Sequence, residues 1–352
     1  MRQTLVTILL SVIIFSASAQ KSDYKPVIIG FYNLENLFDT LDNPIVNDEE
    51  FTPNGPRSYN GDIYFDKLKQ LSTVISQMGT EINPDGPAIL GVAEVENDTV
   101  LHDLVNQKAI ENRHYKIVHY DSRDARGIDV GLLYNPKYFS VVSSDKLFVP
   151  LPSGSKDAYY TRDILWVKGK LDGETIHVYV NHWPSRSGGE KRSEPGRIAA
   201  ARVCKNHIDS IARIEPNAKI VIMGDLNDDP VNESVAKVIN AKAFVEEVQK
   251  GGFFNPWTEL YKKGTGTLAY QDAWGLFDQI IISQPWLKKD QEGYFFYQRH
   301  IFKKEYMVEN LGRYKGYPMR TWDGNRYRGG YSDHFPTYLV MLKKINPAKK
   351  GF

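Results

Sequence analysis

The sequence predicts an α+β (α/β) fold of two β-sheets packed face to face, with the helices outside. Three observations lead there. Apolar runs of strand length recur along the chain, and only a few segments carry apolar residues at helical spacing. The runs 129–134, 164–171 and 175–183 alternate in the way expected of antiparallel sheet. No internal repeat and no linker interrupts the pattern, so residues 20–352 are expected to form one domain.

The first 19 residues are set aside as a secretory signal peptide. Arg2 supplies a positive start, residues 5–15 are mostly apolar, and Ala17-Ser18-Ala19 places small residues at the cleavage positions. The apolar run is too short to span a bilayer. Gln20, and not a cysteine, follows the expected cut, so nothing suggests a lipid-modified terminus. The mature protein is expected to be exported, periplasmic or extracellular, without stable membrane insertion.

The remaining elements follow in order. Residues 26–33 read as a strand, and 39–51 as an irregular acidic stretch. A helix over 62–78 carries Phe65, Leu68, Leu71, Ile75 and Met78 on one side. A strand over 88–95 and a short helix over 98–108 precede strands at 115–120, 129–134, 164–171 and 175–183. A helix over 195–213 leads into the strand 219–224, and strands at 277–283 and 336–342 close the pattern.

Composition is that of an ordinary globular chain, and a net charge of +1 argues against holding nucleic acid by bulk charge. Cys204 is the only cysteine, so no intrachain disulfide forms and stability rests on the core. It shares a helical face with Ala200, Val203, His207, Ile208 and Ile211, which reads as core and not as a nucleophile or ligand.

Polar clusters stand at the ends of the predicted strands. Asn33 ends the first, within Tyr32-Asn33-Leu34-Glu35-Asn36. Glu94 follows an almost wholly apolar run, where a buried carboxylate needs a partner such as a metal. His182 and Arg186 end another strand, and Asp225 and Asn227 follow Ile222-Met223-Gly224. Asp278 heads an apolar strand, and Asp333-His334 stands before the last one. Taken singly, each has a plainer explanation: a turn cap, a sheet-edge acid or a hydrogen-bonded histidine.

The ordered set resembles the endonuclease/exonuclease/phosphatase superfamily, which includes deoxyribonuclease I-like enzymes, over essentially the whole mature chain. Residues 31–39, 126–130 and 330–336 look like its secreted bacterial extracellular nuclease-like branch. Members commonly carry Gln before the metal-binding Glu; here Ala93 stands there, which puts one supporting hydrogen bond in doubt. The resemblance implies a four-layer α/β/β/α sandwich of two mixed, mainly antiparallel sheets, open at one end around the active site. It implies that Glu94 and Asp333, with Asn33 beside them, hold one Mg²⁺ or Mn²⁺, hard ions suited to oxygen donors. His334 would take a proton from water, with Asp278 orienting it. Asp225, Asn227 and His182 would hold the nucleophile and phosphoryl oxygens, one of Asp225 or His182 serving the leaving group. Arg162 matches a phosphate-contacting arginine of the deoxyribonuclease-like members, and Arg126 and Arg186 are further candidates for that task.

Between Gly312 and Tyr331, Arg313, Lys315, Arg320, Arg326 and Arg328 alternate with aromatic residues against one acid, Asp323. Such a segment can contact phosphates and stack on bases, and Arg326 and Arg328 are expected to bind substrate. A packed surface hairpin explains the same composition. The leading expectation is therefore a metal-dependent phosphodiesterase acting on DNA or RNA. The alternatives are a phosphohydrolase of small phosphoesters, phosphoinositides or sphingolipid head groups, and a non-catalytic binder of the same fold. No obligate protein partner is expected.

Overall fold

The computed structural model describes residues 24–152, 160–289 and 292–345, so the expected signal peptide lies outside the described residues. The chain runs β1 (Tyr24–Leu37), α1 (Gly61–Gln77), β2 (Pro87–Val95), α2 (Asp98–Val105), β3 (Lys116–His119), β4 (Asp129–Tyr134), β5 (Phe139–Leu147), β6 (Ile164–Leu171) and β7 (Glu174–His182). It continues through α3 (Glu190–Ile214), β8 (Lys219–Asp225), β9 (Ala241–Lys242), β10 (Phe253–Phe254), α4 (Thr258–Lys262), β11 (Leu268–Tyr270) and β12 (Ala273–Gly275). The last elements are β13 (Asp278–Ser283), β14 (Tyr294–Ile301), β15 (Trp322–Asp323), β16 (Arg326–Tyr327) and β17 (Thr337–Lys344).

Two mixed sheets result. One is ordered β14-β17-β1-β2-β4-β3, the other β5-β6-β7-β8-β13-β10-β9. Period-two alternation divides each strand between two cores. Val27, Ile29 and Phe31 of β1 meet Val178, Val180, Met223 and Ile280 of the other sheet in the central core. Ile28 and Tyr32 point the other way, onto Leu68, Leu71 and Ile75 of α1. On the far side, Tyr179, Ile220 and Ile222 pack against Ala200, Cys204 and Ile208 of α3. The expected four layers are present, and Cys204 lies buried among them.

Local chemistry starts the helices. Asn60 caps α1 by accepting a hydrogen bond from the Ile63 amide at 3.1 Å, with Asp62 in the first turn where the helix dipole favours an anion. The inner face of α1 differs from expectation. Leu68, Leu71, Ile75 and Met78 are buried as expected, but Phe65 is 58% exposed and Tyr64 and Lys67 turn inward in its place. α3 begins at Glu190, upstream of the expected start, and contains Pro195.

Strand direction brings the polar clusters to one edge. β1 and β2 are parallel, and so are β7 and β8, so Asn33, Glu94, His182 and Asp225 all lie toward the carboxyl ends of their strands. β13 and β17 run the opposite way and deliver Asp278 and the Asp333-His334 pair at their starts. The ladder breaks where the side chains must turn inward. The β1–β2 register slips between Asn33 and Leu37, and the β2–β4 register between Ala93 and Val95. Glu35, Asn36 and Glu94 there adopt left-handed backbone, with φ of 49°, 57° and 60°. A bulge of this kind re-aims a side chain that regular pleating would send to the opposite face.

Candidate active site

Asp225 stands at the centre of the site. Its Oδ2 accepts from Asn33 Nδ2 at 3.0 Å and its Oδ1 from the Asn227 amide at 3.0 Å. His182 Nε2 lies 3.8 Å from it and His334 Nε2 3.9 Å. Two clusters of donor atoms share it: Glu94, His182 and Asp225, and Asp225, Asp278 and His334, each set lying within 4.8 Å of one another. Both combine carboxylate oxygens with an imidazole, a donor set that suits a divalent cation. Two buried atoms beside them, His182 Nδ1 and Asp278 Oδ1, have no hydrogen-bond partner among the described residues.

The His334–Asp278 pair has the geometry of an oriented imidazole. Nδ1 meets Asp278 Oδ2 at 2.7 Å, which leaves Nε2 facing Asp225 and Asp333. Thr267 Oγ1 donates to the same Asp278 oxygen at 2.5 Å, fixing that carboxylate from behind. Burial favours a neutral His334, yet the charge and hydrogen bond of Asp278, with Asp225 and Asp333 nearby, raise it well above the ordinary histidine range. Burial pushes Asp225 up to about 7, against the pull of His334. His182, buried beside the charges of Arg162 and Arg126, falls well below its ordinary value and is neutral at physiological pH.

The expected ligand set is arranged differently from the reading of the sequence. Asn33 turns its Nδ2 toward Glu94 (3.2 Å) and Asp225, while its Oδ1 accepts from the Glu35 amide at 2.9 Å. In this arrangement it is a hydrogen-bond bridge between the two carboxylates. Asp333 belongs to neither shared cluster; its Oδ2 accepts from Arg320 Nη2 at 2.9 Å. Burial would raise this carboxyl, but His334 and Arg320 hold it below the ordinary carboxylate range. Glu94 belongs to one of the two clusters, with Oε1 facing His182 Nε2 at 3.7 Å and Oε2 accepting the Asn36 amide at 3.0 Å.

The arginines need correction too. Arg162 is buried, with Nε on the His182 carbonyl (3.1 Å), Nη2 on the Trp183 carbonyl (2.5 Å) and Nη1 on Asp124 (3.1 Å). It braces the end of β7. Arg186 is likewise engaged, by the Asn227 carbonyl, Asp229, Asn232 and Glu190, and lies over the Phe277 ring at 4.5 Å. Arg328 pairs with Glu309 at 2.6 Å. Arg126 is exposed, with a looser 3.4 Å approach to Asp124, and Arg326 is exposed with no ion pair among the described residues. Asn227 sits in the site, its Nδ2 donating to the Trp183 carbonyl at 2.9 Å.

A buried trio behind Asp333 went unread in the sequence. Glu35 accepts the Thr321 amide at 2.6 Å, and Lys67 Nζ donates to Thr321 Oγ1 at 2.9 Å. Burial with Asp333 nearby lifts Glu35 to about 7, and burial lowers Lys67 to about 8. The available signal was a lysine on the apolar stripe of α1. Thr267 had none, since an isolated threonine carries no pattern.

A model of the Endonuclease/Exonuclease/phosphatase family matches residues 28–343. The chain belongs to this family. No protein of curated function matches it in sequence. Solved structures share the fold. An endonuclease/exonuclease/phosphatase family protein from Bacteroides thetaiotaomicron is 17% identical with a TM-score of 0.55, covering 91% of this chain and 98% of that one. The mannosyl-6-phosphatase of the same species is also 17% identical, with a TM-score of 0.54 over 90% of this chain and 99% of its own. TDP2 of D. rerio, complexed with a single-strand DNA product, is 13% identical with a TM-score of 0.52, covering 90% of this chain and 98% of its own.

Asp225 carries a measurable cost. Below about pH 4 its carboxyl is protonated in folded and unfolded chains alike; from there to about 7 only the folded chain keeps the proton, so stability falls as pH rises through that window. Asp225→Asn removes the burden. In metal-free protein its thermal midpoint should exceed that of the wild type at pH 8 and match it at pH 4. An equal difference at both pH values would contradict this origin.

Proposed function

We propose that this family member is a divalent-metal-dependent phosphodiester hydrolase of nuclease type, acting on DNA or RNA. The observation that carries the reading is the 2.7 Å Asp278–His334 contact beside the Asp225 clusters. It presents Nε2 toward the place where Glu94, Asp225 and His182 converge. Mg²⁺ or Mn²⁺ held by Glu94, with Asp333 close by, would polarise a phosphoryl oxygen. A bound cation would offset the carboxylates that otherwise keep a proton on His334, leaving its Nε2 free to accept the proton of the attacking water, with Asp278 supporting the imidazolium that results. Asp225, whose carboxyl is raised to about 7, is better suited than the neutral His182 to return a proton to the leaving oxygen. His182 and Asn227 position the phosphoryl group, and Arg126, exposed and only loosely approached by Asp124, can meet it. Export after cleavage behind Ala19 belongs to the same reading, and the exported protein should begin at Gln20 by N-terminal sequencing.

The nucleic-acid substrate is supported by rings beside His334. Phe335 stacks with Trp274 at 6.3 Å, Trp274 meets Tyr317 at 5.9 Å, and Tyr317 meets the exposed Tyr314 at 5.6 Å. Lys303 lies over Trp274 and Arg313 over Tyr314, so aromatic faces and cations share one surface. Unpaired bases stack on such surfaces while cations meet the backbone. A specific observation favours the second reading, a small phosphoester. Arg320 and Arg328 are already paired with acids, which reduces the charge left to grip a polyanion.

Turnover of the preferred substrate should vanish with chelator and return with Mg²⁺ or Mn²⁺. His334→Ala should lower kcat by roughly 10²–10⁴-fold, as expected for a positioned proton acceptor. Near wild-type turnover of that variant, with its fold intact by circular dichroism, would mean another group is the base.

Arg326→Gln separates the substrates. If a polynucleotide is held, the slope of log affinity against log salt should fall by about one. Cleavage of bis(p-nitrophenyl) phosphate should not change. An unaltered slope, with small phosphoesters turned over faster than oligonucleotides, would put the second reading first.

A further inference from the structure

A second cluster of metal-ligating groups lies on the flank of the first sheet, where β3 ends and β4 begins. His119, Asp121 and Asp129 bring one ligand atom each within 4.8 Å of one another. Acidic clusters alone are common on surfaces, so the histidine decides. Its side chain is 3% exposed, and Nε2 has no hydrogen-bond partner among the described residues. That nitrogen faces Asp129 Oδ2 at 3.6 Å, too far for a hydrogen bond. Asp129 is itself buried, and its other oxygen already accepts the Ser122 amide at 2.8 Å. Nearby, Asp163 is also buried and its Oδ1 has no partner. Leaving such groups unsatisfied away from water is costly.

We propose that His119, Asp121 and Asp129 form a second divalent-cation site, separate from the catalytic cluster, for an ion of the Zn²⁺ class. Two ligands about 2.0–2.2 Å from a tetrahedral ion lie roughly 3.3–3.6 Å apart, the spacing of His119 Nε2 and Asp129 Oδ2. An imidazole with carboxylates selects Zn²⁺ or Co²⁺ over Mg²⁺ and Ca²⁺, which require mainly oxygen. Asp121, whose side chain is 85% exposed, has Oδ1 3.9 Å from the other ring nitrogen of His119, Nδ1, and closes the site from the solvent side by swinging its carboxylate toward Nε2. The charges facing the cluster are Lys146, bonded to the Asp121 carbonyl and 3.9 Å from Asp163, and Arg123, whose charge acts on Asp163. Neither takes up His119 Nε2. The ion would clip the 120–128 connection to the sheet. That connection carries Asp124, the carboxylate that holds Arg162 and through it the His182 and Trp183 carbonyls.

The test uses the full-length mature protein, stripped with chelator and titrated with Co²⁺ by visible absorption and with Zn²⁺ by calorimetry. His119→Gln should remove one bound equivalent, both in the wild type and in a Glu94→Gln background, and should abolish the Zn²⁺-dependent rise in thermal midpoint of the latter. Asp121→Asn, at an exposed position that folding does not need, should weaken that equivalent at least tenfold. If His119→Gln does not fold, the Asp121→Asn titration decides alone. Unchanged stoichiometry and affinity in the folded variants overturn the site.

Discussion

One side-chain amide ties the two sheets together at the site. Asn33 Nδ2, from the first sheet, donates at once to Glu94 beside it and to Asp225 of the second sheet. Its Oδ1 accepts from the Glu35 amide, which favours this orientation. One buried and one half-buried carboxylate thereby share a single donor. The geometry of the site depends on the spacing between the sheets, and that spacing is set by the central core. Close approach within the second sheet adds a constraint of its own: a Cβ on Gly224 would lie 2.2 Å from the Asn181 carbonyl oxygen. A larger residue there would part β7 from β8 and displace His182 and Asp225 together.

Charge balance follows from the same arrangement. Glu94, Asp225, Asp278 and Asp333 converge with Glu35 behind them, and His334, Arg320 and Lys67 offset them. Such a surplus of buried acid is a stability cost that a protein bears where function requires it. The raised Asp225 and Glu35 carboxyls and the raised His334 express that cost as proton affinity.

The strands that carry the site were legible because they lie in sheet interiors. β2 and β8 are buried along almost their whole length and read as unbroken apolar runs ending in an acid. β5 and β14 were missed for the complementary reason. Each is an edge strand, β5 mostly exposed and β14 rich in polar residues toward its end, so neither shows a clean alternation. Residue types at strand ends pointed to Asp225, Asp278 and His334, which the fold brings together. The partner of a charge was not legible: Arg162 meets Asp124 across 38 positions and Arg320 meets Asp333 across 13, and no local pattern announces either pair. The same limit explains why Asn33 reads as a ligand in the sequence and bridges two carboxylates in the fold.

The ring surface beside His334 gives the molecule an optical handle. Of the six tryptophans, Trp183, Trp257, Trp286 and Trp322 are buried, and Trp166 stands between His177 and His207 on the outer face of the second sheet. Trp274 alone is both half-buried and in ring contact with the residue that follows His334. Its indole therefore stands where a ligand entering the mouth of the site would change its surroundings, and native emission reports that entry without an added dye.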